Sequence, residues 1–396
     1  MHKKFIERTD IRGKLVFIRN DFNVPLSESG DITDETRITE SLRTINYALE
    51  QDAKVVCASH LGRPGGKRDE KLSLKVVADR LTDLTGRRVS FSGETTGPGI
   101  DRIKSEMKGG DILLLENLRF DPGEKANSSE FSAELAKNID VYINDAFGSS
   151  HRAHASIEGI TRHVPLSVMG FLLKREIEFL GMALNNPPEK FTIILGGSKV
   201  SDKIGVINNL AEKASSIIIG GAMAYTFLKA KGEEIGSSKF EPDYIDTCRK
   251  TLEKAGNNGV KILLPVDHIA ATKIERNITI RMIKPGEGIP REMMGLDIGF
   301  NTVSLFRKEI LNSQMIFWNG PMGVFEVDDF SGGTMAVAEA IAESPALSIA
   351  GGGDTVAAIN KAGVRLNISH ISTGGGASLE LLSGVTLPGI NSLTED

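Results

Sequence analysis

Cysteine is scarce in this chain. Its two cysteines, Cys57 and Cys248, stand far apart inside apolar or helical runs. They read as buried reduced thiols, and no metal-ligand spacing links them, so a disulfide framework is excluded. Long apolar runs are missing too. None reaches the ~18 residues of a membrane span. The opening stretch 1–14 is peppered with charge and lacks the apolar core of a signal peptide, so a cytoplasmic protein is expected. There is no excess of positive charge. With 47 basic against 52 acidic residues the net charge is −5, so the whole molecule does not attract polyanions. A nucleic-acid or membrane role would need a local basic face. Neither a G-x-x-x-x-G-K-[ST] loop nor a G-x-G-x-x-G fingerprint followed by an acidic residue occurs, so an ordinary P-loop or dinucleotide fold is not indicated. Low-complexity segments and short-period repeats are absent as well.

What is present is alternation. Short β-rich apolar runs alternate with longer amphipathic stretches throughout 396 residues, which predicts α/β architecture with parallel sheets and room for two or three domains. Strands are expected at 15–18, 54–58, 112–115 and 141–143, then at 191–195, 216–219, 261–265, 315–318, 347–350 and 368–372. Helices are expected at 72–84, 129–137, 200–213, 244–255 and 334–342. A domain boundary is read at 164–170, followed by a helix at 172–184 that Asn185-Asn186-Pro187-Pro188 stops. That helix could serve as a strut between two lobes.

Ligands of open parallel sheets bind beyond the carboxyl ends of the strands. In the first half those ends are charged. They carry Arg19-Asn20-Asp21-Phe22-Asn23, then Ser59-His60-Leu61-Gly62-Arg63, then Glu116-Asn117-Leu118-Arg119, then Asn144-Asp145 with His151-Arg152-Ala153-His154. Arg37 is placed on the loop after the first strand. A single arginine of this kind is usually a solvated ion pair. Four strand ends bearing arginine or histidine point instead to a small, multiply anionic ligand, since a guanidinium forks onto phosphate or carboxylate.

In the second half the strand ends are bare backbone. They are Gly196-Gly197, Gly220-Gly221, Asn319-Gly320-Pro321, Gly351-Gly352-Gly353-Asp354-Thr355 and Gly374-Gly375-Gly376. Such ends admit a flat base and a phosphate chain. Lys199 and Lys203, at i and i+4, would share one face of a helix opening after Gly197. Asp354 reads either as a plain N-cap or, beside phosphates, as the carboxylate that holds Mg²⁺. The stretch Ser372 to Glu380 is either a tight strand-to-helix turn without a ligand or an anion seat, with its helix expected to open at Ser378.

Taken together these motifs resemble the phosphoglycerate kinase family. The resemblance runs from RNDFNVP at 19–25 through SHLGRP (59–64), LENLRF (115–120), DAFGSSHRAHAS (145–156), ILGGSKVSDK (194–203), WNGPMGVFE (318–326) and AGGGDT (350–355) to STGGGASLELL at 372–382. Three departures stand out. The family usually has an apolar residue at Asn20, alanine at Ser198 and glycine at Ala222, the last beside the adenine site. The resemblance implies two Rossmann-like three-layer αβα lobes with parallel sheets, joined by a helix and hinge. A phosphoglycerate-binding domain would span 1–169 with the returning 380–396, and a nucleotide-binding domain 170–379.

It further implies that Asp21, Asn23, Arg37, His60, Arg63, Arg119 and Arg152 hold 3-phosphoglycerate or 1,3-bisphosphoglycerate. Gly197, Lys199, Lys203, Gly220, Gly221, Gly295, Leu296, Asn319, Glu326, Gly352, Gly353, Asp354 and Thr355 would hold ADP or ATP, with Asp354 on Mg²⁺. The acceptor carboxylate is already ionised at neutral pH, so the reaction needs no general base. Arg37, Lys203 and the N–H groups of Gly375 and Gly376 are then assigned to the group in flight. In-line transfer between sites on two lobes implies hinge closure. A monomer working on small molecules, without nucleic-acid or membrane partners, is expected. Two other readings are another acyl-phosphate kinase, whose small substrate would leave the arginines idle, and a nucleotide-binding regulatory protein that has lost its chemistry.

Overall fold

The computed structural model describes residues 3–396; Met1 and His2, which open the charged N-terminal stretch, lie outside the described residues. The chain divides into two compact units, Met1–Glu178 with Thr386–Asp396, and Phe179–Val385.

The first unit is built on a six-stranded sheet of β1 (Leu15–Asn20), β2 (Lys54–Ala58), β3 (Val89–Phe91), β4 (Ile112–Leu114), β5 (Val141–Asp145) and β6 (Ser167–Met169). The spatial order is β3-β4-β2-β1-β5-β6 and every pairing is parallel. All six residues of β1 and all five of β5 are buried. This is why they read as continuous β-branched and aromatic runs: helices cover both faces of a parallel sheet, so neither face can be polar. Strand order reverses between β1 and β5, and their carboxyl ends carry Arg19 to Asp21 and Asn144 to Asp145.

The second unit repeats the plan with β7 (Phe191–Leu195), β8 (Ser216–Ile219), β9 (Lys261–Leu263), β10 (His268–Ala271), β11 (Arg281–Ile283), β12 (Met294–Ile298), β13 (Met315–Asn319), β14 (Leu347–Gly351) and β15 (His370–Ser372). Its parallel sheet runs β15-β14-β13-β7-β8-β9, and β11-β10-β12 form a small antiparallel sheet. Order reverses between β7 and β13, whose ends are Gly196-Gly197 and Asn319-Gly320. Trp318, Phe306 and Ile316 anchor the core beneath.

Several expectations change. The stretch 164–170 is no linker, because Ser167–Met169 pairs with β5 as the edge strand of the first sheet. The division falls later, inside the helix Phe171–Asn185. Asp145 Oδ1 fixes the start of that helix, accepting from the N–H groups of Leu172 and Leu173 at 2.9 and 3.3 Å. At the other end only Thr386–Asp396 returns to the first unit; the helix Gly375–Leu382 stays with the second. The return is held by backbone pairing, with Lys4 N–H donating to the Thr394 carbonyl and Thr394 N–H to that of Ser167, both at 2.9 Å. No helix among the described residues is long and apolar enough to cross a membrane.

Candidate active site

The first unit gathers cations beneath the strand ends. Arg19 and Asp21 are buried as β1 runs out, and His60 is buried after β2. Arg37 is not on a loop. It lies in the first turn of the helix Thr36–Glu50, which Asp34 initiates by accepting from Thr36 N–H at 2.8 Å, and its guanidinium pairs with Asp21. Asn117, fully buried, fastens two strand ends together, accepting from Leu61 N–H at 3.2 Å and donating to the carbonyls of Leu61 and Leu72 at 2.7 and 2.9 Å. Asn23 Oδ1 accepts from Gly62 N–H at 2.8 Å and so ties the first loop to the second.

Arg119 is buried, with Nη1 donating to the Gly62 carbonyl at 2.8 Å and its Nε–H buried without a partner among the described residues. Burial, together with Arg19 and Arg152, lowers its pKa to about 10, Glu124 and Asp21 only partly opposing. His60 is held well below the usual histidine range by burial and by Arg19, Arg119, Arg37 and Arg152. The structure thus brings Asp21, Arg37, His60, Arg119 and Arg152 within electrostatic reach of one another, while Arg63 is exposed. Cations crowded to the point of weakening one another, one of them with an unused N–H, form a seat for an anion.

The second unit holds a cavity of about 370 Å³ walled by Gly197, Gly221, Tyr225, Gly295, Leu296, Met322, Val324, Glu326 and Asp354, among others. This volume lies in the range of small-ligand sites. Bare backbone shapes it. Gly221 has φ +65°, and a Cβ there would stand 2.5 and 2.6 Å from Gly197 N and O, so only glycine lets the β7 and β8 ends approach. Gly220 does not line the cavity; it packs under Met322, whose Sδ a Cβ would meet at 2.4 Å.

Asn319 and Thr355 are buried and engaged in joining loops. Asn319 Nδ2 donates to the Gly351 carbonyl and Thr355 Oγ1 accepts from Gly320 N–H, each at 2.7 Å. Gly352 and Gly353 open the helix Gly353–Ala362, which carries Asp354 in its first turn, exposed to solvent. A Cβ on Gly375 would stand 3.9 Å from Gly352 Cα, so the last two glycine loops lie side by side. The helix Gly375–Leu382 opens three residues before Ser378, and Ser372 and Ser378 share a hydroxyl hydrogen bond at 2.7 Å that closes the turn.

Lys199 and Lys203 do not share a helical face. The helix begins at Ile204, since the preceding loop is held elsewhere: Glu241 accepts from the N–H groups of Val200 and Ser201 and from Ser201 Oγ. Lys199 is exposed. Lys203 is half-buried, its Nζ 3.5 Å from the Cβ position of Gly197. Burial lowers its pKa, with Asp202 and Asp354 acting in the opposite direction.

The profile of the family described as Phosphoglycerate kinase matches residues 6–385. A curated phosphoglycerate kinase of Koribacter versatilis is 52% identical over 401 residues, covering 100% of both chains, and one of Thermosipho africanus is 51% identical over 99% of this chain and 98% of its own. The solved phosphoglycerate kinase of Coxiella burnetii superposes with a TM-score of 0.90 at 39% identity over 98% of each chain; that of Pyrococcus horikoshii gives 0.83 at 33% over the same shares. This chain belongs to the phosphoglycerate kinase family.

The three residues expected above to depart from the family pattern have these positions. Ser198 and Ala222 both line the cavity, Ser198 exposed and Ala222 half-buried. Asn20 is fully buried, with both amide atoms unpaired among the described residues. Residues given no role in the sequence reading also shape the sites. Arg19 and Glu124 form a buried charged pair through Ser156, and Tyr225 and Met322 wall the cavity. Arg19 and Met322 lie within the quoted motifs, whereas Glu241, just before the Pro242–Tyr244 turn, has no spacing that points to the loop 41 residues earlier.

Proposed function

We propose that the chain runs the phosphoglycerate kinase reaction with its two chemistries divided between its two units. The family makes it a phosphotransferase of glycolysis. In the proposal Asp21, Asn23, Arg37, His60, Arg63, Arg119 and Arg152 hold 3-phosphoglycerate or 1,3-bisphosphoglycerate. The adenine of ADP or ATP enters the cavity between Gly221, Gly295, Leu296 and Glu326, and the phosphates lie along Gly197, Lys199, Lys203 and Gly352 to Thr355. The observation that carries this reading is the arginine cluster around Arg119, which Glu124 and Asp21 only partly offset, in a unit that also presents His60, the set suited to an anionic hydroxy acid.

Mg²⁺ fits Asp354, an exposed carboxylate in the cavity wall. Among the described residues no three His, Cys, Asp or Glu side chains cluster as a cage, so the ion's remaining ligands would be nucleotide phosphates and water. When bound, Mg²⁺ neutralises phosphate charge. The protein's own residues do the rest. Arg37 and Lys203 offset charge on the phosphoryl group, the N–H groups of Gly375 and Gly376 donate to its oxygens, and the substrate carboxylate attacks in line without a base. Hinge closure that excludes water, a monomeric state and a cytoplasmic location complete the proposal.

The division is tested by calorimetric titration. Arg119→Ala should weaken 3-phosphoglycerate binding by roughly tenfold or more, the size of a lost charge-assisted contact, and leave MgADP affinity unchanged. Asp354→Asn should do the reverse. Both ligands weakening together in either variant would refute the division.

A further inference from the structure

We propose that Arg19 is a positioning residue that fixes His60 as a neutral ring with its proton on Nε2, so that His60 meets the substrate as a hydrogen-bond donor. The last clause rests on the substrate assignment above; the state of the ring does not.

Arginine can only donate. Arg19 Nη2 lies 3.2 Å from His60 Nδ1, and both side chains are buried. For that contact to be a hydrogen bond, Nδ1 must carry a lone pair. A neutral imidazole has one N–H, which therefore sits on Nε2. A second proton, on Nδ1, would break the bond and set two cations 3.2 Å apart. The charged groups acting most strongly on the ring are Arg19, Arg119, Arg37 and Arg152, all of one sign, and burial works in the same direction.

Arg19 is itself held in a chain of hydrogen bonds whose direction is fixed at its far end. Glu124, fully buried, can only accept as a carboxylate. It takes the Ser156 hydroxyl proton at 2.7 Å and the Ser156 N–H at 3.0 Å. With its proton spent, Ser156 Oγ offers a lone pair, which Arg19 Nε–H meets at 2.8 Å. Arg19 Nη1 donates to the Asn20 carbonyl, leaving Nη2 for His60. Each link settles the next, from Glu124 through Ser156 and Arg19 to the imidazole. The chain joins the helix Pro122–Ala126 and the loop at Ser156 to two strand ends, and the Glu124 charge lets a guanidinium remain buried.

The consequence is a matter of sign. With the proton on Nε2 the ring presents N–H to a substrate carboxylate or hydroxyl oxygen. The other tautomer would present a lone pair, which a carboxylate oxygen repels and which only a hydroxyl proton could meet.

The test is long-range ¹H–¹⁵N correlation spectroscopy on His60 in the full-length, ligand-free protein. The expected signature is the Nε2–H tautomer with no titration between pH 8 and 6. An Nδ1–H ring, or one that titrates in that range, overturns the proposal. In Arg19→Met the ring should exchange between tautomers, and KM for 3-phosphoglycerate should rise by roughly tenfold with a smaller change in kcat. Arg19→Lys keeps the charge but cannot hold Ser156 and His60 together, and should also give a mixed ring. An unchanged ring signature in Arg19→Met overturns the proposal even if activity falls. Should that variant not fold, Ser156→Ala removes only the hydroxyl and should loosen the ring in the same sense; an unchanged ring there counts against the chain. A correct ring in a protein that fails to bind 3-phosphoglycerate refutes the substrate assignment and leaves the ring assignment standing. Binding with the wrong tautomer does the opposite.

Discussion

Asn20 and Asp145 are register partners on the adjacent parallel strands β1 and β5, and both are buried with side-chain atoms left unpaired among the described residues. Partners in a parallel ladder put their side chains on the same face of the sheet. Asn20 leaves its carbonyl and its amide nitrogen without a bond, and Asp145 leaves Oδ2. A buried polar group without a partner costs about 1–3 kcal/mol. Asn20→Val, which removes both unpaired amide atoms, should therefore raise unfolding free energy by about 1–3 kcal/mol. Urea titration measures it. Unchanged or lowered stability would mean that the Asn20 amide is satisfied in solution.

Stability should depend on pH in one unit and not in the other. In the first unit burial and neighbouring arginines hold His60 well below its ordinary value and His154 at about 3. A histidine depressed in the folded state gives full stability above the unfolded pKa near 6.5, lost as pH falls below it, because the unfolded chain takes up the proton first. Burial raises Asp145 to about 7, against 3.8 unperturbed, so it acts in the opposite sense between those values. Two histidines less one aspartate leave one proton, at most about 1.4 kcal/mol per pH unit lost between pH 6 and 5. In the second unit His268, at about 4, and Asp297, at about 7, cancel. Hydrogen exchange in urea at pH 6 and 5 should show β1 and β5 losing protection while β7 and β13 hold theirs. His154→Gln should remove the difference. Equal slopes in both units would contradict this proton balance.

Lys203 stands beside the Gly197 backbone with its pKa lowered by burial, and the proposal has it offset phosphoryl charge. Lys203→Ala should cost about 2.7–4 kcal/mol of barrier, roughly 10²–10³ in turnover, by analogy with losing one preorganised donor. Steady-state kinetics decide. Turnover within a factor of about three of wild type would remove Lys203 from the mechanism.

Gly221 tests the shape of the cavity. In Gly221→Ala a methyl group would press on the Gly197 backbone at 2.5 Å and occupy a left-handed backbone angle. Loss of stability of about 1–3 kcal/mol and weaker nucleotide binding are expected. Calorimetric titration with MgADP measures the second effect; unchanged affinity would show that the two loops give way without disturbing the site.

Much of this was legible in the residues, for physical reasons. The parallel strands declared themselves because burial on both faces forces continuous apolar runs, and glycine at one set of strand ends against arginine at the other is chemistry written in order along the chain. What was not legible depends on distant partners. The loop at Val200 looks helical, and Glu241 from far along the chain prevents it. Ser167–Met169 is too short to declare itself as a strand between Pro165 and Gly170, and its pairing with β5 makes it one. Arg19 reads like any charge at a strand end, because its burial rests on Ser156, 137 residues away. Arg37 lies on a helix whose start Asp34, ahead of Thr36, signals in the sequence. The antiparallel strands β10 to β12, short and broken by glycine and proline, carry no period to read.

The most direct measurement is formation of ADP from MgATP in the presence of 3-phosphoglycerate, in a coupled assay with acetate and carbamate as comparison acceptors. The division of an anionic acceptor seat from a nucleotide cavity predicts rapid ADP formation with 3-phosphoglycerate, none above background with the small acceptors, and loss of the signal in Lys203→Ala. Equal rates with acetate, or no turnover with 3-phosphoglycerate in a protein that binds MgADP, would contradict it.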